Sequence, residues 1–166
     1  SITLDHRQVA TIREYCVANK VNLPLYFKAL FGLMIQHYCR PDAGFSFAEF
    51  YSCRQDVWDR ELGCFYQQFP SIVPAALNGR GVTVHDWLTS LKESRDSARS
   101  FRAISLQAQQ QILPVGRTVF MFNYYNFVSD LTLDQASVQP VMSAPKVDGV
   151  VQFIVKEQTQ GIELEL

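Results

Sequence analysis

The chain has 166 residues, 48% of them apolar and 19% charged, with a formal net charge of -1. That balance supports a sizeable core in a single domain and excludes a disordered chain. The near-neutral charge, with no long basic run, excludes nucleic acid as the main partner.

In chain order, Asp5 is placed to cap a helix in which Val9, Ile12 and Cys16 share a face at steps of three and four. Asn19-Lys20-Val21-Asn22 breaks that helix. Pro24 suits the first turn of a second one, where its missing N–H leaves no bond unmade. Leu25, Leu30, Phe31, Leu33, Met34 and Ile35 make this second helix apolar nearly all round, so it needs cover on most sides. Residues 23–38 also hold Lys28, Gln36 and His37, which suits a buried helix and argues against a membrane span.

Arg40-Pro41-Asp42-Ala43-Gly44 reads as a turn. Phe45, Phe47 and Glu49 alternate with Ser46, Ala48 and Phe50, the pattern of a strand partly buried on both faces. A polar loop over residues 54–60 leads into "RELGCFYQQFPSIVP", residues 60–74, whose later part continues as a strand. Asn78-Gly79-Arg80-Gly81 is the next turn. Thr83 is placed to cap a third helix carrying Trp87, Leu88, Leu91 and Ala98, and Ser105 a shorter fourth with Leu106, Ala108, Ile112 and Leu113. "RTVFMFNYYNF" has the aromatic and β-branched content of a strand. "LDQASVQPVM" predicts an edge or irregular strand, because Pro140 cannot donate to a ladder. "VVQFIVKEQTQGIELEL" is two alternating runs around Thr159-Gln160-Gly161, a hairpin signal. Helices and strands in this order predict an α/β, two-layer sandwich: a mixed β-sheet with helices packed mainly on one face.

The residues offer no catalytic constellation. The three histidines are His6, His37 and His85. His85 precedes Asp86, but neighbours on a helix point in different directions and do not form a base with its orienter. The four cysteines, Cys16, Cys39, Cys53 and Cys64, lack C-x-x-C pairing, so no metal site is expected and the reading is reduced thiols in a cytoplasmic protein. No phosphate-binding glycine loop or nucleophile elbow is present. Aromatics make up 13% of the chain, which leaves rings to line a channel or to face another domain.

Four stretches in order resemble the C-terminal lobe of a nonribosomal peptide synthetase condensation domain, of the chloramphenicol-acetyltransferase-like superfamily. Leu62-Gly63-Cys64-Phe65-Tyr66-Gln67-Gln68-Phe69-Pro70 is similar to the family's Gly-x-Phe…Pro motif, with Gly, Phe and Pro in register. Arg54 resembles the arginine that usually precedes that glycine. "VNLPLYFKALFGLMIQHYC" resembles the family's proline-initiated helix, "TVFMFNYYNF" its Phe-rich strand, and "VDGVVQFIVKEQTQGIELEL" its closing hairpin. The resemblance implies half of a chloramphenicol-acetyltransferase-like fold. Residues 1–166 would form a single lobe, with the N-terminal lobe and its His-His-x-x-x-Asp-Gly motif absent.

It further implies a part in joining acyl or aminoacyl thioesters borne on the phosphopantetheine of carrier proteins. No cofactor is expected to bind the lobe directly. The implied partners are the missing lobe, carrier proteins and neighbouring synthetase domains, with no membrane. Arg54, Gly63, Phe65, Tyr66, Gln67, Phe122, Tyr124 and Asn126 are the channel or floor residues so implied, with no catalytic residue and no activity in the chain alone. Gln67 and Gln68 stand where the family has Asn-Thr, and "SFRAISLQAQQQIL" lacks the family's His-Gln-Asp segment, which points to a divergent subtype. An epimerization lobe, an O-acyltransferase lobe and a non-catalytic lobe that recruits a partner are the alternatives.

Overall fold

The computed structural model describes residues 1–39, 44–52, 66–73, 81–98, 108, 119–126, 131–133, 136–138, 149–158 and 161–166. For residues 51, 52, 66, 67, 131–133 and 136–138 it describes the backbone alone.

Asp5 starts helix α1 (His6–Ala18) through a reciprocal cap. Its carboxylate accepts from the Gln8 N–H at 2.8 Å, and the Gln8 side-chain oxygen accepts from the Asp5 N–H at 3.0 Å. The helix ends where Lys20 takes a positive φ of 53°. The Val21 N–H then reaches back to the Cys16 carbonyl and the Lys20 N–H to that of Val17, a Schellman closure with lysine at the position glycine usually holds. Asn22 caps α2 (Leu23–Cys39) by accepting from the Leu25 N–H at 3.0 Å. Thr83 caps α3 (Val84–Ala98). Its hydroxyl donates to Asp86 and accepts from the Asp86 N–H, and the Asp86 carboxylate also accepts from the Thr83 N–H. Those bonds hold the Asp86 carboxyl below the usual aspartate range. Asp86 is thus part of a cap and not a partner for His85.

Among the described residues the main sheet runs β1-β8-β7-β4-β2-β3. Its strands are β1 (Ile2–Leu4), β2 (Phe45–Ser52), β3 (Tyr66–Val73), β4 (Phe120–Tyr125), β7 (Val151–Gln158) and β8 (Gly161–Glu165). The inner trio β2, β4 and β7 is parallel, and β3, β8 and β1 add antiparallel at the sides. The sheet is therefore mixed, as the element order predicts. Strand β1 is an addition to the sequence reading.

The stretch predicted as an edge or irregular strand does hold an edge strand, and its first residue ends a second one. Residues β5 (Leu131–Leu133) and β6 (Ala136–Val138) pair with each other in a separate two-stranded sheet. Two residues connect them, a hairpin length that Asp-Gln does not advertise. Pro140, the turns over residues 40–43 and 78–80, the loop over residues 54–60 and the hairpin tip at 159–160 lie outside the described residues. So does the predicted fourth helix except for Ala108, which is helical.

Helices α1, α2 and α3 cover one face of the sheet through one core. Phe31 of α2 stacks on Phe153 with ring centroids 5.4 Å apart and meets Phe47 edge-on at 5.4 Å. It also lies within 6.4 Å of Phe120 and Phe122. Phe45, Phe47 and Glu49 face the helices, the alternation read from the sequence. Trp87 of α3 seats against α2, its indole N–H donating to the Ala29 carbonyl at 3.2 Å. Gly32 lets it approach, since a Cβ there would lie 2.9 Å from Trp87 Cζ2.

The corner between β1 and β8 depends on Gly161. Its φ is +151°, and a Cβ would sit 2.2 Å from the Leu4 carbonyl oxygen. Gly161→Ala is therefore expected to lower stability by more than about 2 kcal/mol. Urea melts followed by circular dichroism measure this, and a loss within about 0.5 kcal/mol would show that the corner relaxes freely.

Candidate functional site

The second helix carries a lysine within its long apolar run, and that lysine is buried. Lys28 is 3% exposed and Glu49, facing it from β2, is 7% exposed. The ammonium Nζ donates to Glu49 Oε1 at 2.8 Å and to Ser71 Oγ of β3 at 2.9 Å. The Ser71 hydroxyl donates in turn to the same carboxylate oxygen. A charge out of water needs such partners, because unpaired it would carry its full desolvation cost. The cluster pins α2 to two adjacent strands by directional bonds where the rest of the interface is apolar.

One wall of a cleft of about 400 Å³ is formed by Lys28 and Glu49. The amino end of α2 contributes Asn22, Pro24 and Leu25, and the end of α3 contributes Arg95 and Asp96. Phe50 of β2 and Phe122, Tyr124 and Asn126 from β4 and its end complete the lining. The cleft thus opens at the carboxyl ends of two adjacent parallel strands, beside a helix amino terminus. Arg95 Nη2 and Nε contact Asp96 Oδ1 at 3.0 and 3.2 Å, and Nη1 lies 3.4 Å from Asn22 Oδ1. No group of three or more His, Cys, Asp or Glu side chains among the described residues could hold a metal.

Tyr124 runs from this cleft into the core, its ring 6.3 Å from that of Phe27. Its buried hydroxyl makes no hydrogen bond of good geometry among the described residues. Burial, and next the negative charge of Glu157, push the phenol well above the ordinary tyrosine value. Arg13 partly offsets this and is itself paired with Glu157 at 2.9 Å.

No protein-family model and no curated protein matches the sequence. Solved structures do. The first condensation domain of the calcium-dependent antibiotic synthetase superposes with a TM-score of 0.75 and 9% identity, over 97% of this chain and 37% of that one. The fold is that of a condensation-domain lobe. The X-domain from teicoplanin biosynthesis gives 0.74 at 17% identity, over 98% of this chain and 39% of that one. PapA2 acyl transferase gives 0.68 at 16% identity, over 97% and 37%. This chain spans under two-fifths of the length of each, and identities this low carry the fold and not the chemistry.

Within this fold, three of the residues marked by resemblance, Phe122, Tyr124 and Asn126, meet at the cleft. Phe122 is also a core residue, 6.2 Å from Phe153. Tyr66 and Gln67 lie in β3, paired through their backbones with Ser52 and Tyr51. Arg54, Gly63 and Phe65 lie outside the described residues. The sequence reading missed Lys28, Glu49, Ser71, Asn22 and Arg95. The available signal was a lysine inside an apolar helix and a glutamate on the same face of its strand as Phe45 and Phe47.

Lys28→Met leaves Glu49 buried without its cation and is expected to cost about 3–5 kcal/mol. The double variant Lys28→Met/Glu49→Leu should lose clearly less than the single one, which a double-mutant cycle from urea melts measures. Equal losses would mean that Glu49 finds water when Lys28 is gone.

A raised folded-state phenol pKa keeps the proton on Tyr124 where the unfolded chain has released it. Its contribution is full below the ordinary value of about 10 and is lost as pH rises beyond it. Tyr124→Phe should therefore leave stability at pH 7 within about 0.5 kcal/mol, since the hydroxyl removed makes no hydrogen bond of good geometry. Its stability should also fall less steeply than that of the parent as pH rises above about 10. Unfolding melts across that range read both, and identical slopes would refute the assignment.

Proposed function

We propose that the chain is the C-terminal half of a condensation domain that joins carrier-bound acyl or aminoacyl thioesters in nonribosomal peptide synthesis. The observation that carries this reading is a likeness over 97% of this chain to 37% of such a domain. Stretches that resemble the family's motifs follow in order along the same residues, and the sequence offers no histidine spaced to work with a carboxylate as a base. In the reaction the acceptor amine attacks the donor thioester carbonyl. A C–N bond forms, the C–S bond breaks, and the thiol of the donor's phosphopantetheine leaves. A histidine of the N-terminal lobe would orient or deprotonate the amine.

This lobe would supply one wall of the substrate channel and a docking surface for the carrier protein. Its channel residues would be Arg54, Gly63, Phe65, Tyr66, Gln67, Phe122, Tyr124 and Asn126. The likeness to an acyl transferase supports a second reading, transfer to a hydroxyl acceptor by the same fold.

The test is single-turnover product formation by the two-lobed parent with loaded carrier proteins, offered amine and hydroxyl acceptors in parallel. Amide formation by the parent and none by this chain alone is expected. Turnover by the chain alone would place the base here and sink the reading, and ester formation only would select the hydroxyl acceptor. In the same assay, Gln67→Ala should slow condensation while shifting stability by no more than about 0.5 kcal/mol. A rate loss that merely tracks the folded fraction would put Gln67 in the core.

A further inference from the structure

The cleft beside α2 presents more hydrogen-bond donors than acceptors. An ammonium has three N–H bonds, and those to Glu49 and Ser71 account for two of Lys28's. Its third has no partner among the described residues. Arg95 has five N–H donors, and its main partner is Asp96, its neighbour in sequence, whose side chain is 50% exposed. A surface pair of this kind is weak, and Asp96 can turn to water when a better anion arrives. Asn22 and Asn126 add amide donors at the rim.

The carboxylates of the lining and the Asn22 side-chain oxygen are already engaged. Glu49 accepts from Lys28 and Ser71, Asp96 from Arg95, and the Asn22 side-chain oxygen from the Leu25 N–H. Two cations and two carboxylates cancel, so nothing here accumulates charge for a polyphosphate. The amino end of α2 adds the positive end of a helix dipole, which favours one negative charge. Pro24, Leu25, Phe50 and Phe122 supply an apolar wall. Along α2, Lys28 stands six residues beyond Asn22, the contact of Arg95, which is about 9 Å of helix axis. Two extended peptide units span about 7 Å, and the lysine side chain leans back toward the helix amino end.

We propose that this cleft binds a free peptide acid of one or two residues, with its carboxylate at Arg95 and Asn22 and an acyl carbonyl at Lys28. A carrier-bound thioester has no carboxylate at its activated end, so the ligand is a released or unactivated acid. The inference stands whether or not the parent is a condensation enzyme, because every group it uses belongs to this chain.

The test is an NMR titration of the protein with N-acetyl-alanyl-phenylalanine and, separately, its C-terminal amide. Saturable shifts are expected at the backbone amides of residues 22–28 and 95–96, with the acid bound roughly tenfold more tightly than the amide. Arg95→Gln, checked for a dispersed native spectrum, should bring the acid down to the affinity of the amide and leave the amide's unchanged. The unmodified protein decides alone if that variant does not fold. Absence of saturable shifts at these residues, or amide and acid bound equally, overturns the proposal. So does an Arg95→Gln protein that folds and binds the acid as before.

Discussion

The ring of Phe31 stacks on Phe153 and meets Phe47 edge-on, with Phe120 and Phe122 within 6.4 Å. One side chain of α2 thereby touches each of the three parallel strands, β2, β4 and β7. Aromatic pairs add a directional preference to ordinary burial, so this contact sets where the helix lies and how it is rotated. The buried polar cluster then follows from that placement. Lys28, about one turn before Phe31, is carried over β2 and β3, where it is only 3% exposed. Glu49 and Ser71 meet it there.

A cluster of this kind is poor evidence for stability, since well-packed apolar residues often hold as well or better. Its effect here is on register. Apolar contacts tolerate a small slide of helix over sheet, but two bonds from one ammonium to neighbouring strands do not. The cleft inherits that definition, because Lys28 and Glu49 form its inner wall. Its position, toward the carboxyl ends of β2 and β4, lies near where open α/β sheets generally bind ligands.

Local features were legible in the sequence. Asp5, Pro24 and Thr83 announced the helix starts because capping is decided within four residues. The alternation of Phe45, Phe47 and Glu49 gave the buried face of β2 because strand period is local too. The closing hairpin and the Phe-rich strand were readable for the same reason. What escaped depends on residues far apart. Strand β1 is three residues long and exists only against β8. Lys28 stood in a helix read as buried and Glu49 in a strand read as partly buried on both faces, but nothing local says that the fold sets one over the other. Arg95 was one more helical charge in sequence, and only the packing of α3 against α2 sets it beside Asn22.

The pairing of Ile2 with Leu164 has a consequence for biosynthesis. Strand β1 leaves the ribosome long before its partner is translated, and α1 must wait with it for residues 161–165. Until then the helices can settle only on an incomplete sheet, with the β7 edge open. Sheets closed by such distant pairs form late, and an unpaired edge during that wait is where nascent chains associate wrongly. The reciprocal cap at Asp5 gives α1 local support over the interval, independent of any strand.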